Sequence, residues 1–184
     1  MVKDPRTVRT RAVWLLVLPF FWFAQPTLTL VAYGGGLAAL GLAIRAWAAG
    51  AIRKDRELTT TGPYAYTRNP LYVGSFFIGL GVTTAGAHVL WTVVFLVFYL
   101  AVYGRTLAYE AEVLTELFGD EFRAYAAAVP AVVPRLTPYP GTPAGGAPAP
   151  GFTLSQYLRN KEWEALLGAT AAFALLTAKA VFLH

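Results

Sequence analysis

Residues 59–72 read TTTGPYAYTRNPLY, and this polar and aromatic stretch lies between two apolar runs. The run before it covers residues 27–49, and the run after it covers residues 70–85. A membrane helix needs roughly 20 mostly apolar residues, so the stretch is predicted to connect two membrane helices. Tyrosine, arginine and asparagine side chains concentrated at a membrane boundary are typical of a functional site.

The composition of the whole chain indicates a membrane protein with one domain. Of its 184 residues, 57% are hydrophobic and only 14% are charged. A soluble domain of this size carries about a quarter charged residues. The excess of apolar residues is therefore predicted to face lipid.

Several kinds of site are excluded or disfavoured by residue content. The chain has no cysteine, which excludes disulfides, thiol catalysis and thiolate metal sites. Its two histidines, His88 and His184, are far apart in sequence, so no metal site is expected.

The apolar runs predict an all-α, polytopic membrane helix bundle. About five transmembrane helices are expected, over residues 8–24, 27–49, 70–85, 89–108 and 163–183. A cytoplasmic interfacial helix is expected after Ala108. The basic start followed by an apolar run resembles a signal peptide, but no small-residue cleavage site follows, so a retained first helix is expected.

Basic residues are distributed unevenly between the predicted loops. With the N-terminus inside, the inner segments are 1–11, 45–68, 105–135 and 159–161, and of the 15 lysines and arginines only Lys179 lies elsewhere. The proposed outer turns carry no formal charge. This positive-inside pattern predicts a cytoplasmic N-terminus in a membrane such as the bacterial cell membrane, and an external C-terminus. The net charge of +5 is then explained by topology and anionic lipid, and nucleic-acid binding is not expected.

Three parts of the chain are distinguished by composition. Residues 1–136 form the predicted membrane core, and residues 161–184 form a C-terminal transmembrane helix of accessory character. Between them, residues 137–160 include a Pro/Gly/Ala-rich segment and are predicted to be a linker.

The third and fourth predicted helices are joined by a tight turn at residues 86–88, which makes them antiparallel neighbours. This hairpin is expected to bring the Arg68 end close to the segment from Arg105 to Glu112. Helical periodicity places Glu110 on the apolar face of Val113, Leu114, Leu117 and Phe118, and places Glu112 and Glu116 on the opposite face. A carboxylate on the inward face needs a cation or a donor.

Purely structural interpretations remain open for the same residues. Asn69-Pro70 is a typical helix start, the three tyrosines are consistent with an aromatic belt, and Glu110 is consistent with a structural salt bridge.

The glycines at 34–36 and 41 are expected to allow close helix packing. Lys179 is expected to extend outward.

Two blocks of the sequence resemble an enzyme family. Gly62-Pro63-Tyr64 followed by residues 68–74, RNPLYVG, is similar to the G-x-Y…R-[HN]-P-x-Y-x-G signature of integral-membrane methyltransferases. These include isoprenylcysteine carboxyl methyltransferases and bacterial phospholipid methyltransferases. Residues 110–134 resemble the family's second block, E-E-x-x-L-x-x-x-F-G-x-x-[YF]-x-x-Y-x-x-x-V-P-x-x-x-P.

The resemblance, which covers residues 43–135, implies S-adenosylmethionine as methyl donor at the cytoplasmic mouth. It implies an amphipathic acceptor, a membrane lipid or a lipidated molecule, that enters from the bilayer. The candidate catalytic residues are Arg68, Arg105 and Glu110. The residues expected to contact the cofactor are Gly62, Tyr64, Arg68, Asn69, Pro70, Tyr72, Glu110, Tyr125 and Pro130.

Two departures from the family pattern bear on the acceptor. Asn69 stands where prenylcysteine enzymes have histidine, and Ala111 stands where a second glutamate is usual. Both weaken a prenylcysteine assignment more than they weaken methyl transfer. An NADPH-dependent membrane reductase of the sterol-reductase type is the first alternative, and a small transporter or scaffold is the second.

Overall fold

The computed structural model describes residues 16–53, 57–141 and 151–183. These residues form helices and connecting segments, with no strand among them. In chain order the helical elements are α1 (residues 16–23), α2 (Leu28–Ala51), a 3₁₀ turn (Gly62–Ala65), α3 (Pro70–Ala85), α4 (Val89–Ala128), α5 (Leu154–Arg159) and α6 (Trp163–Phe182).

Three of these helices, α2, α4 and α6, are long and apolar enough to cross a membrane. Helix α3 is apolar but has only 16 residues. The prediction of an all-α membrane helix bundle is confirmed. Of the predicted first span, residues 16–23 are helical and residues 8–15 lie outside the described part of the chain.

The chain divides into two compact units. The first unit contains Met1–Leu40, Phe76–Ala108 and Leu167–His184, and the second contains Gly41–Ser75 and Tyr109–Leu166. Every predicted site residue except Arg105 belongs to the second unit.

In the first unit, α2 and α3 approach each other at two glycines. A Cβ added to Gly34 would lie 2.3 Å from the carbonyl oxygen of Gly81, and one added to Gly81 would lie 2.4 Å from the oxygen of Gly34. No side chain fits at such a distance, so the predicted packing role is confirmed for Gly34. It is wrong for Gly36, where an added Cβ would meet nothing within 4 Å.

Lys179 has a different role from the predicted one. Its ammonium group donates to the carbonyl oxygens of Phe21 at 3.0 Å and Trp22 at 2.8 Å. These carbonyls belong to the last turn of α1, where hydrogen-bond acceptors lack partners within the helix and the helix dipole favours a cation. Lys179 therefore caps α1 rather than extending outward.

The predicted start of the interfacial helix, after Ala108, is wrong. Helix α4 continues through the expected boundary at Ala108 to Ala128, and its only break is at Gly119, with φ 54° and ψ −124°. A positive φ is strongly disfavoured for residues that carry a Cβ atom, so glycine suits this position. The break changes the direction of residues 120–128, which include Phe122 and Tyr125.

The predicted linker, residues 137–160, is partly structured. Its residues 142–150 lie outside the described part of the chain, but α5 occupies residues 154–159. The amide of Thr153 donates to the oxygen of Gly50 at 3.0 Å, and the side chain of Asn160 donates to the oxygen of Ala49 at 2.7 Å. The chain preceding α6 is thus attached to the end of α2.

Candidate active site

Two segments far apart in sequence, residues 64–69 and 125–139, are joined by hydrogen bonds, and we call this pairing the clasp. The hydroxyl of Tyr125 donates to the oxygen of Tyr64 at 2.7 Å. The amide of Arg68 donates to the oxygen of Pro130 at 2.9 Å, and the side chain of Asn69 donates to Ala131 at 2.9 Å. The two blocks that carry the family resemblance therefore meet.

Further bonds extend the clasp on both sides. The hydroxyl of Thr67, which is buried, lies 3.1 Å from the carbonyl oxygens of Ala131 and Val132. The amide of Arg135 donates to Tyr66, and that of Tyr139 donates to residue 65, each at 2.9 Å. Because most of these bonds use backbone groups, the clasp holds the irregular chain around Arg68 in one conformation.

The 3₁₀ turn directs Tyr64 inward. Gly62 has φ +60°, a conformation that glycine adopts without strain, and Pro63 follows as the second residue of the turn. Gly62 is expected to contact the cofactor, but its backbone conformation alone accounts for a glycine at this position. Tyr64 is only 6% exposed.

The Tyr64 phenol is a buried hydrogen-bonding group in a charged environment. Among the described residues, its hydroxyl is one of two buried side-chain polar atoms with no hydrogen-bond partner. Burial raises the pKa of Tyr64 far above its ordinary value, Tyr125, Glu110 and Glu162 act in the same direction, and Arg45 opposes them. The phenol is therefore a neutral donor throughout the physiological pH range.

The second buried side-chain polar atom without a hydrogen-bond partner, among the described residues, is Nε of Arg68. Its guanidinium lies 5.9 Å from the centre of the Phe122 ring, in a cation–π arrangement. The backbone of Arg68 is held by the clasp, and Phe122 is part of the buried cluster formed with Tyr125 and Val129. The guanidinium is thus positioned by packing and retains donor capacity.

The first turn of α3 contacts Glu110 in α4. Helix α3 begins at Pro70, as predicted, and Pro70 is fully buried. The hydroxyl of Tyr72 donates a hydrogen bond to Oε1 of Glu110. Glu110 is partly buried whereas Glu112 is exposed, so the predicted difference between these two glutamates is confirmed. Leu117, which was predicted to share the face of Glu110, is 58% exposed.

The other predicted residues have different environments. Arg105 lies in the first unit and is exposed. Pro130 is exposed and takes part in the clasp through its carbonyl oxygen. The Asn69 amide is directed to Ala131, although Asn69 also precedes the helix as predicted.

Sequence reasoning missed a pair of charged residues whose charges act on the Tyr64 phenol. Nε and Nη2 of Arg45 bind the two carboxylate oxygens of Glu162, and Glu162 is 6% exposed. One signal was present, because an arginine inside an apolar helix such as α2 usually has a specific partner. The partner lies 117 positions away, which no local pattern reveals.

Comparison with protein families places this chain in one of them. The model of the phospholipid methyltransferase family matches residues 28–121, about half of the chain. The chain belongs to the phospholipid methyltransferase family. Membership of this family and the three long apolar helices together indicate an integral membrane protein of the methyltransferase type.

Curated relatives of this family member carry two kinds of name. The cobalt-zinc-cadmium resistance protein CzcN of Cupriavidus metallidurans is 37% identical over 65% of this chain and 55% of its own length. The nickel-cobalt-cadmium resistance protein NccN of Alcaligenes xylosoxydans xylosoxydans is 38% identical over 63% of this chain and 54% of its own. The protein-S-isoprenylcysteine O-methyltransferase of Schizosaccharomyces pombe is 33% identical over 45% of this chain and 35% of its own.

The chain spans about half the length of the first two relatives and about a third of the isoprenylcysteine enzyme. No solved structure matches it. Within the described residues, no group of three or more His, Cys, Asp or Glu side chains is arranged to hold a metal ion.

Proposed function

We propose that this protein transfers a methyl group from S-adenosylmethionine to an amphipathic acceptor in the membrane. The observation that carries the proposal is the pair of buried polar atoms without partners in the described chain, the Tyr64 hydroxyl and Arg68 Nε. Both lie in the segment that carries the family signature. A buried donor without a partner costs free energy in the folded protein, and a polar ligand that accepts from it removes this cost.

The residues present fit the chemistry of this cofactor. Its amino-acid end carries a carboxylate and an ammonium group, which require a cation and an anion. Arg68 is the candidate for the carboxylate, and Glu110, oriented by Tyr72, is the candidate for the ammonium. When bound, S-adenosylmethionine supplies an electrophilic methyl group on a positively charged sulfonium, and aromatic rings such as those of Tyr64 and Tyr72 attract such a cation.

The protein's own contribution is to position and desolvate the reactants. The clasp fixes the backbone on both sides of Arg68, and the buried cluster around Phe122 supports the guanidinium from one face. Prepositioned groups reduce the entropy lost when two reactants are brought together, which is a large part of the barrier for a bimolecular transfer.

An apolar cleft in the second unit suits the hydrophobic part of an acceptor. Its volume is about 240 Å³, and it is lined by Leu42, Ala43, Ala46, Tyr157, Glu162 and Leu166. Hydrocarbon chains bind in clefts of this kind, with a few polar groups that fix orientation. The amphipathic character of the proposed acceptor rests on this lining and on the membrane location of the protein.

Binding of S-adenosylhomocysteine to the purified protein tests the proposed function. We expect binding by calorimetry, and we expect Arg68→Ala and Glu110→Ala each to weaken it by roughly tenfold or more, because each removes a charge-assisted hydrogen bond. Glu112→Ala is the matched control, since this exposed glutamate lies two positions from Glu110. Its affinity should be that of the wild type.

The same assay distinguishes the alternatives. Binding of NADPH without binding of S-adenosylhomocysteine would favour a reductase, and binding of neither would favour a transporter or scaffold. Wild-type affinity in both Arg68→Ala and Glu110→Ala would remove the site assignment even if the cofactor binds. If the protein binds S-adenosylhomocysteine, incubation of lipid extracts with a labelled methyl donor would identify the acceptor as the molecule that gains the label.

The proposed site faces the cytoplasm, on the basis of the charge distribution. Because the chain contains no cysteine, single cysteines report topology without background. In intact cells, a membrane-impermeant maleimide should label His88→Cys and should leave Arg123→Cys unlabelled until the cells are lysed. Both positions are exposed in the structure. The reverse pattern would invert the topology.

A further inference from the structure

Arg45 joins three separate parts of the second unit. Nε and Nη2 bind both carboxylate oxygens of Glu162, which directly precedes α6. Nη1 donates to the carbonyl oxygen of Leu71 at 3.2 Å and to the hydroxyl of Ser75, which in turn donates to the same Leu71 oxygen at 2.9 Å. The guanidinium thus links the residue before α6 to the first turn of α3.

This first turn of α3 carries a residue of the proposed cofactor site. Tyr72 lies between Leu71 and Ser75 and donates to Glu110. The Arg45 side chain is only 21% exposed and that of Glu162 only 7% exposed, so the pair is largely shielded from water. Both charges also act on the Tyr64 phenol. The pair is therefore bonded to the residue that directly precedes Tyr72 in α3.

We propose that the Arg45–Glu162 pair is a positioning element of the cofactor site, and that the segment preceding the last helix is consequently part of the functional unit. Glu162 orients the Arg45 guanidinium, and Arg45 fixes the turn that aims Tyr72 at Glu110. Residue 162 lies beyond the family match, which ends at residue 121. This inference rests on the proposed function and assigns a role to a C-terminal segment that composition alone predicts to be accessory.

A purely structural latch is the competing explanation, and a paired substitution separates the two. Removing one partner of a buried ion pair leaves an unpaired charge and destabilises the fold, whereas replacing both by apolar residues of similar size is often neutral. The double variant Arg45→Met/Glu162→Leu should therefore unfold near the wild-type temperature. It lacks the guanidinium that binds Leu71 and Ser75, so its affinity for S-adenosylhomocysteine should fall by roughly tenfold.

Wild-type affinity in a normally folded double variant would overturn the inference and leave the pair as a latch. Should this variant not fold, Ser75→Ala provides the second measurement, because it removes only the hydroxyl that bridges Arg45 and Leu71. We expect it to lower affinity a few-fold, and unchanged affinity would again reject the inference.

Two controls complete the design. Glu164→Gln changes an exposed carboxylate in the first turn of α6 and should bind S-adenosylhomocysteine like the wild type. In a Tyr72→Phe background, the loss caused by Ser75→Ala should shrink, because the positioned hydroxyl is already absent. Strictly additive losses would contradict positioning through Tyr72. Absence of binding by the wild type would instead reject the proposed function itself.

Discussion

The hydroxyl of Tyr125 donates a 2.7 Å hydrogen bond to the backbone carbonyl of Tyr64, across 61 positions of sequence. Both residues are buried, at 3% and 6% exposure. The bond joins the end of α4 to the 3₁₀ turn. It uses the backbone of Tyr64 and does not involve the phenol of that residue. One tyrosine thus provides structural support for another that is a candidate ligand-binding residue.

Tyr125→Phe should destabilise the protein by about 1–3 kcal/mol, because a buried carbonyl loses its donor. The free energy of unfolding in detergent, from a denaturant titration, measures this loss. Tyr33→Phe removes a hydroxyl from a side chain that is 69% exposed and should change stability by less than about 0.5 kcal/mol. Equal effects of the two substitutions would contradict the role given to the clasp.

Tyr64→Phe should separate binding from stability. Removal of a buried hydroxyl without a partner should leave the stability of the ligand-free protein unchanged or slightly raised. Affinity for S-adenosylhomocysteine should nevertheless fall by roughly tenfold, if this hydroxyl donates to the ligand. A variant that loses stability but retains affinity would show that the hydroxyl serves the fold alone.

Alkaline pH should destabilise the wild type through Tyr64. Its pKa in the folded protein is raised by burial above the ordinary value of 10.0, so the unfolded chain loses this proton first. The contribution to stability is therefore complete below about pH 10 and declines above it, by up to about 1.4 kcal/mol per pH unit. Unfolding free energies on both sides of pH 10 should show a shallower decline in Tyr64→Phe, and identical slopes would contradict this.

The membrane helices and the encounter of the two sequence blocks could be predicted because each depends on a local pattern. Apolar length located the long helices, and helical periodicity separated Glu110 from Glu112. The short turn between α3 and α4 indicated that their ends would be neighbours. These features follow from spacing along the chain, which the sequence displays directly.

The remaining features depend on partners that no local pattern identifies. Glu162 and Arg45 are 117 positions apart, and Lys179 caps a helix end 157 positions earlier. The residues before α6 looked like the end of a linker, because proline, glycine and alanine dominate the preceding segment. Their attachment to α2 depends on hydrogen bonds that only the tertiary structure reveals.

Two glycines in α2, Gly34 and Gly36, should respond in opposite ways to substitution by alanine. Gly34→Ala would place a methyl group 2.3 Å from the Gly81 oxygen, forcing the helix backbones apart, and should cost about 1–3 kcal/mol. Gly36→Ala meets no atom within 4 Å and should stabilise the helix by about 0.5–1 kcal/mol. Thermal unfolding in the same detergent compares the two, and equal midpoints would contradict the close contact.

The apolar cleft makes a prediction about substrate rather than cofactor. Ala46→Phe should fill part of its volume of about 240 Å³ and compete with the hydrocarbon part of the acceptor. The KM for the acceptor should then rise by a larger factor than the affinity for S-adenosylhomocysteine falls, because residue 46 is not itself a proposed cofactor contact, although Glu162 lines the same cleft. Ala39→Phe, at an exposed position of the same helix, is the matched control. If Ala46→Phe leaves the KM unaltered, the acceptor binds elsewhere, and if it weakens cofactor binding more than it raises the KM, the cleft does not hold the acceptor.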